Sequence, residues 1–498
     1  MAGGMKRLAK ETALYGVSSI VGRFLNWLLV PMYVRVLADT SEYGVVTNIY
    51  GWTALILVLL IHGMETGFFR FINKKEEDKP MRVYSTTLFS VGVVSLLFFV
   101  LVLSFLNPVS DALGYSNNSE YVVMMAGIVA LDAFCSIPFS YLRYKNRPLR
   151  FAGLKLFSVF VNIVFNIFFL VACPWLAENA PDTVSWFYNP SYGVGYVFVA
   201  NVITTIVTFI LLLPDLLPGF RVKVDFVLLR QMLKYSFPLL ILGVAGIFNQ
   251  TADKILFPFL FEDKNYANEQ LGIYGACFKI AVVMVMFIQA FRYAYEPFIF
   301  SKHKESTDQK GYIEAMKYFI IFGLLIFLAV MFYLDVLKYF VVPDYYPGLR
   351  VVPVVMLGEL FFGIYFNLSF WYKLTDQTRW GAYFSLLGCV LTVSIIILFV
   401  PSYGFMACAW ASFVCNFVMM ILSYFVGRKK FPIAYDVKSA AIYFLFAGAI
   451  YTAGMLPQIE SEILRMAYRT MLLVVFVLFI MKRDLPVRDI PYIGRFLK

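Results

Sequence analysis

Fourteen apolar stretches, each bounded by charge clusters or turn residues, are long enough to cross the roughly 30 Å hydrocarbon core of a bilayer. They run approximately over 12–37, 43–63, 83–107, 119–142, 153–173, 193–213, 235–258, 272–300, 313–338, 350–372, 381–400, 405–427, 438–456 and 463–481. The pattern predicts an all-α polytopic membrane protein of about 14 transmembrane helices. The longest intervening segment, PWLAENAPDTVSWFYNPSYG, is too short for a soluble domain, so any chemistry belongs inside the bundle.

Composition supports the pattern: 61% of the 498 residues are hydrophobic and 15% charged, and mean hydropathy is +0.76. Soluble domains carry about 25% charged residues, which excludes a soluble enzyme. The net charge of +11 would suggest an anionic partner in a soluble protein, but its distribution follows topology. Alternate loops hold 29 Lys and Arg, while the intervening set holds only Lys264. Positive loops stay on the cytoplasmic side, so both termini are expected there. No nucleic-acid motif or long basic arm accompanies these clusters. The amino terminus lacks a cleavage site and reads as a retained first span.

The first twelve spans divide into two sixes at a polar stretch with similar openings, Tyr15-Gly16 and Tyr235-Ser236. Twofold repetition of six-helix halves is a recurring transporter plan. The expected organisation is an N-lobe over 1–213, a cytoplasmic linker over 214–234, a C-lobe over 235–427, and two further spans with a tail over 428–498. Pro31, Pro138, Pro238, Pro258 and Pro353 fall inside spans, where each is a hinge or a static kink.

Charges inside spans are costly and usually face a protein interior or a watery cavity. Arg23 lies eleven residues into span one, lining a cavity or pairing with another helix; Arg35, near the outer end, can equally reach the interface. Span seven carries Asn249, Gln250, Asp253 and Lys254 on adjacent stripes, so Asp253 is a structural partner of Lys254 or a cation or proton site. In span eight Lys279 is a cavity candidate, and Arg292 with Glu296 reads as an intrahelical pair. Asp132 and Glu359 are lone mid-span carboxylates: neutral, paired, or part of a proton or sodium relay.

The six cysteines include no C-x-x-C pair and are read as packing residues; no metal site is expected. No phosphate-binding G-x-x-x-x-G-K-[ST] loop occurs, so the chain does not itself hydrolyse ATP. Two histidines argue against haem or histidine-metal chemistry, and no G-x-S-x-G or H-E-x-x-H is present.

The segment LAKETALYGVSSIVGRFLNWLLVPMYVRVLADTSEYGVV (Leu8 to Val46) resembles the opening of polysaccharide flippases of the multidrug, oligosaccharidyl-lipid and polysaccharide exporter (MOP) superfamily. Tyr235 to Ile280, with FPLLILG, ADKILFPFLF and LGIYGACFKI, looks like spans seven and eight of that family, and Tyr345 to Phe361 and Val400 to Ser412 are similar to its later spans. The resemblance implies two six-helix lobes around a central cavity plus two carboxyl-terminal helices. It implies export of polyprenyl-diphosphate-linked oligosaccharide of O-antigen or capsule type, for lipopolysaccharide or other surface glycan. Arg23 matches a first-span arginine that would receive the diphosphate; Arg35, Lys254 and Lys279 follow by their place in spans one, seven and eight. Asp132, Asp253, Arg292, Glu296 and Glu359 are the coupling or structural charges. The chain is expected to be a transporter and not an enzyme, without cofactor beyond a proton or sodium gradient. It is expected to act as a monomer beside a polysaccharide polymerase or other assembly proteins. A multidrug or small-solute antiporter of the same fold, and a membrane glycan polymerase, are the alternatives.

Overall fold

Hydrophobic length becomes helix along the whole chain. The computed structural model describes residues 16, 20–73, 80–305, 310–375, 377 and 379–484, without the side chains of 294 and 296–305. Among these residues all regular structure is helical. We number the membrane elements α1 (residues 20–36), α2 (Thr40–Ile72), α3 (Pro80–Ser104), α4 (Ser119–Tyr144), α5 (Pro148–Asn179), α6 (Gly195–Phe220) and α7 (Phe226–Leu260). They continue as α8 (Lys264–Tyr293), α9 (Lys310–Phe332), α10 (Pro343–Leu374), α11 (Arg379–Tyr403), α12 (Phe405–Lys430), α13 (Val437–Met455) and α14 (Glu462–Arg483). Thirteen of them, α2 to α14, are long and apolar enough to cross a membrane. The described part of α1 covers residues 20–36.

Several boundaries move for local reasons. A turn at Leu28–Leu29 splits α1, and Pro31 sits in the first turn of Val30–Val36, where its missing N–H leaves no helical bond unmade. Helix α2 breaks at His62 and Gly63, both at positive φ, and resumes as Met64–Ile72. Helix α6 runs through Pro214 and Pro218 to Phe220 and α7 begins at Phe226, so most of the polar stretch expected as a linker is helical. Partners hold it there: Tyr84 donates to the Asp215 carbonyl at 2.8 Å, and Arg150 pairs with the Asp215 carboxylate at 2.7 Å. The π-turn Phe168–Ala172 inside α5 and the continuation of the α8 helix to Glu305 have no sequence counterpart.

The chain forms two compact units, residues 1–276 with 385–411, and 277–384 with 412–498. In the first, α4 is the central helix, packed on α2, α3 and α6 through Val122, Met125, Ala126, Val129 and Ala133. Along a second seam α2 meets α7 and the start of α8. A Cβ on Gly44 would stand 1.8 Å from the Asn268 carbonyl oxygen, and one on Gly272 1.8 Å from that of Thr40. Small residues permit this backbone approach, which is how helices associate in lipid.

In the second unit, α9 packs on α10, α13 and α14. Two carboxylates fasten the last helices. Asp335, beyond α9, takes Arg465 at 2.8 Å and buried Arg469 at 2.7 Å, both from α14. At the other end Asp484 accepts from Lys317 at 2.8 Å and from Tyr443.

Candidate functional site

A column of polar side chains runs through the first unit, mostly supplied by α4, α5 and α6. At the end bearing the basic loops, Arg143 pairs with Glu65 at 2.9 Å and Ser140 donates to the same carboxylate at 3.1 Å. Further in, Thr205 donates to Asp132 Oδ1 at 3.3 Å. Ser158 and Thr208 share a 2.7 Å hydrogen bond between α5 and α6. Asn162 donates to Asn201 Oδ1, and Asn201 to the Tyr50 hydroxyl, each at 2.8 Å. Asn166 donates to Asn162, and Tyr33 of α1 closes the column by donating to Asn166 Oδ1 at 2.9 Å. Polar groups within membrane helices are costly unless they satisfy one another, and these amides and hydroxyls do.

Two ionisable groups stand beside this column. Between Tyr121 and Tyr144 every residue of α4 is buried or half-buried except Asp132, which is exposed. Its carboxylate is therefore accessible from outside the packed core of the unit. Lys155 of α5 shares a helix face with Val159, Asn162 and Asn166, the face on which Val159 meets Gly22 and Asn166 meets Tyr33. The exposed apolar face of Phe157, Phe160, Val164 and Ile167 is opposite. The Lys155 ammonium lies 4.1 Å from the centroid of the Phe139 ring.

The residues singled out in the sequence fall in separate places. Arg23 is exposed on α1 beside Gly22, and among the described residues it forms no ion pair. Arg35 is exposed and bonded to the Pro31 carbonyl of its own helix at 2.5 Å. Lys254 is bound to Asp253 at 2.9 Å, and Tyr274 donates to the same carboxylate at 2.7 Å; the partner geometry is the one that is formed. Asn249 accepts from Thr392 of α11 at 2.5 Å. In the second unit, Lys279 and Glu359 are half-buried. Arg292 and Lys373 both lie over the Phe366 ring, at 4.0 and 4.3 Å. The Glu296 side chain lies outside the described residues.

Sequence reading missed Lys155, Asn162, Asn166 and Asn201. The signal was present: a lysine and two asparagines spaced seven and four apart, opposite a run of exposed aromatics and aliphatics.

No curated protein matches the chain. Among solved structures it is similar to a lipid II flippase MurJ in an inward closed conformation, with 14% identity, TM-score 0.72, and coverage of 94% of this chain and 99% of that one. It is also similar to an inward-facing multidrug resistance MATE family transporter of the MOP superfamily, at 12% identity and TM-score 0.63, covering 81% and 93%. A MATE structure in complex with MaD3S aligns at 13% identity and TM-score 0.58, covering 84% and 95%. At these identities the likeness is one of fold, and the fold is that of the MOP superfamily. The model of the polysaccharide biosynthesis protein family matches residues 8–303, and the chain belongs to that family.

Proposed function

We propose that this chain is a flippase that moves a polyprenyl-diphosphate-linked oligosaccharide repeat unit from the cytoplasmic to the outer leaflet by alternating access, for surface polysaccharide of O-antigen or capsule type. Family membership carries the reading. The likeness to a lipid II flippase over 94% of the chain, against 81% for a multidrug resistance MATE family transporter and 84% for a further MATE structure, favours a lipid-linked substrate over a small drug.

The physical task is to carry a diphosphate and polar sugars across hydrocarbon while the lipid tail stays in it. Fixed cations in a low-dielectric surrounding attract the diphosphate strongly. Arg23 is the foremost candidate, because it is exposed and makes no ion pair among the described residues. Arg35 and Lys279 are secondary. At Lys254 a diphosphate would compete with Asp253. The basic loops would lie in the cytoplasm of a bacterium whose inner membrane holds the protein as a monomer, next to a polymerase that takes up its product.

Arg23→Ala is expected to abolish delivery of the glycan to the cell surface while the protein still inserts. Full delivery by that variant would remove Arg23 from the substrate site. Raised drug resistance on overexpression, with no effect on the glycan, would favour the antiporter reading instead.

A further inference from the structure

We infer that Asp132 is a proton-binding site whose state is exchanged with Lys155. Three observations converge. Asp132 is the single exposed residue on the most enclosed helix of its unit, and Thr205 gives it one hydrogen bond. Lys155 is exposed on the face of α5 that carries Asn162 and Asn166, and it forms no ion pair among the described residues. Its ammonium rests on Phe139, which lies seven residues from Asp132 on the same face of α4.

The charged and titratable groups on the helices around Asp132 are His62 and Glu65 on α2, Arg82 on α3, and Asp111 on the short helix Leu106–Leu113. Besides tyrosines, the others are Glu42 and Arg70 on α2, Arg150, Lys155, Cys173 and Glu178 on α5, Asp215 on α6, and Glu120, Cys135 and Arg143 on α4. Arg143 is paired with Glu65, Arg150 with Asp215, and Arg82 lies 3.8 Å from Asp225. His62 bonds Ser90 and the Leu60 carbonyl. Lys155 is the cation of this set that stands on the α4 face carrying Asp132, over the Phe139 ring.

Two arrangements follow. With Asp132 protonated, the carboxyl is neutral and Lys155 stays on Phe139, as in this structure. When the proton leaves to water, the carboxylate attracts the ammonium along the α4 face, past Cys135 and Ser136. The proton thereby sets whether α4 and α5 are tied by an ion pair inside the membrane. Sodium suits the place poorly: a hard cation needs several oxygen ligands, the neighbouring asparagines are engaged with one another, and an ammonium stands nearby. The coupling of this site to transport rests on the proposed flippase activity; proton binding does not.

The test has two arms, both on the full chain in phosphatidylcholine proteoliposomes. Infrared difference spectra across a pH titration should show a carboxylic-acid band that is lost in Asp132→Asn, kept in Asp132→Glu, and unmoved when sodium replaces choline. Lys155→Met should raise its midpoint by about one unit, because the adjacent cation favours the ionised form. A band unaffected by Asp132→Asn, or a midpoint that follows sodium, overturns the proposal. In the second arm a pH gradient should accelerate flipping of a fluorescent polyprenyl-diphosphate disaccharide severalfold in wild type and not in Lys155→Met. Equal acceleration in both overturns the coupling. A wild type that flips none of this lipid defeats the flippase reading and leaves the infrared result standing.

Discussion

The two units place polarity differently. In the first, hydroxyls, amides and one carboxylate occupy the middle of the helices, from Tyr33 through Asn162 to Asp132. In the second, the ion pairs described sit at helix ends, Asp335 with Arg465 and Arg469 and Asp484 with Lys317, and the mid-span charges Lys279 and Glu359 belong to no hydroxyl and amide column among the described bonds. Ends are where charge costs least, since water and headgroups are near. Charge at the ends therefore serves docking of α13 and α14 on α9. Polarity in mid-span costs more and asks for a use, and the proton site assigned to Asp132 supplies one.

This contrast can be broken, beginning where the largest change in stability is expected. Asp335→Ala leaves Arg465 and buried Arg469 without their carboxylate and should lower stability by about 3 kcal/mol, read as thermal unfolding in detergent. An unchanged melting temperature would remove the docking role. Asn162→Leu severs the column between Asn166 and Asn201 and should cost about 1 kcal/mol, given the modest worth of hydrogen bonds between membrane helices. Its transport defect should exceed what that loss of folded protein explains, as read from flipping per folded molecule. If flipping per molecule is normal, the column is only structural. Phe366→Leu removes the ring beneath Arg292 and Lys373 and should cost about 1 kcal/mol, measured in the same melting assay.

The smallest effect depends on pH. Burial pushes the Asp484 carboxyl up, but hydrogen bonds from Lys317 and Tyr443 and the charges of Lys317 and Arg483 outweigh it and hold it below its ordinary value. A lowered folded-state value stabilises above the ordinary carboxylate range, and the gain is lost as pH falls through that range toward the folded value. Wild type should exceed Asp484→Asn by about 1 kcal/mol at neutral pH, with the gap closing in acid. A gap that persists in acid would show that the carboxylate charge is not its source.

Span number and loop charge were legible because lipid imposes a length and insertion imposes a charge rule, each read locally. Helix α6 was cut short because Pro214 and Pro218 look like a loop until Tyr84 and Arg150, far away in sequence, hold the segment as helix. Asp253 and Lys254 were visible as neighbours, yet the Tyr274 bond that completes them depends on how α7 meets α8. Lys155 escaped notice because it follows the basic loop closely and looks like part of it. Only the face it shares with Asn162 and Asn166 separates it from the topological charges.

The central claim, movement of a lipid-linked anion, is tested most directly by reconstituting wild type with a fluorescent polyprenyl-diphosphate disaccharide and adding a membrane-impermeant quencher. The account predicts quenching well beyond the outer-leaflet fraction, and a lower rate with Arg23→Ala. Quenching that stops at the level of protein-free vesicles, with active protein shown to be present, would contradict it.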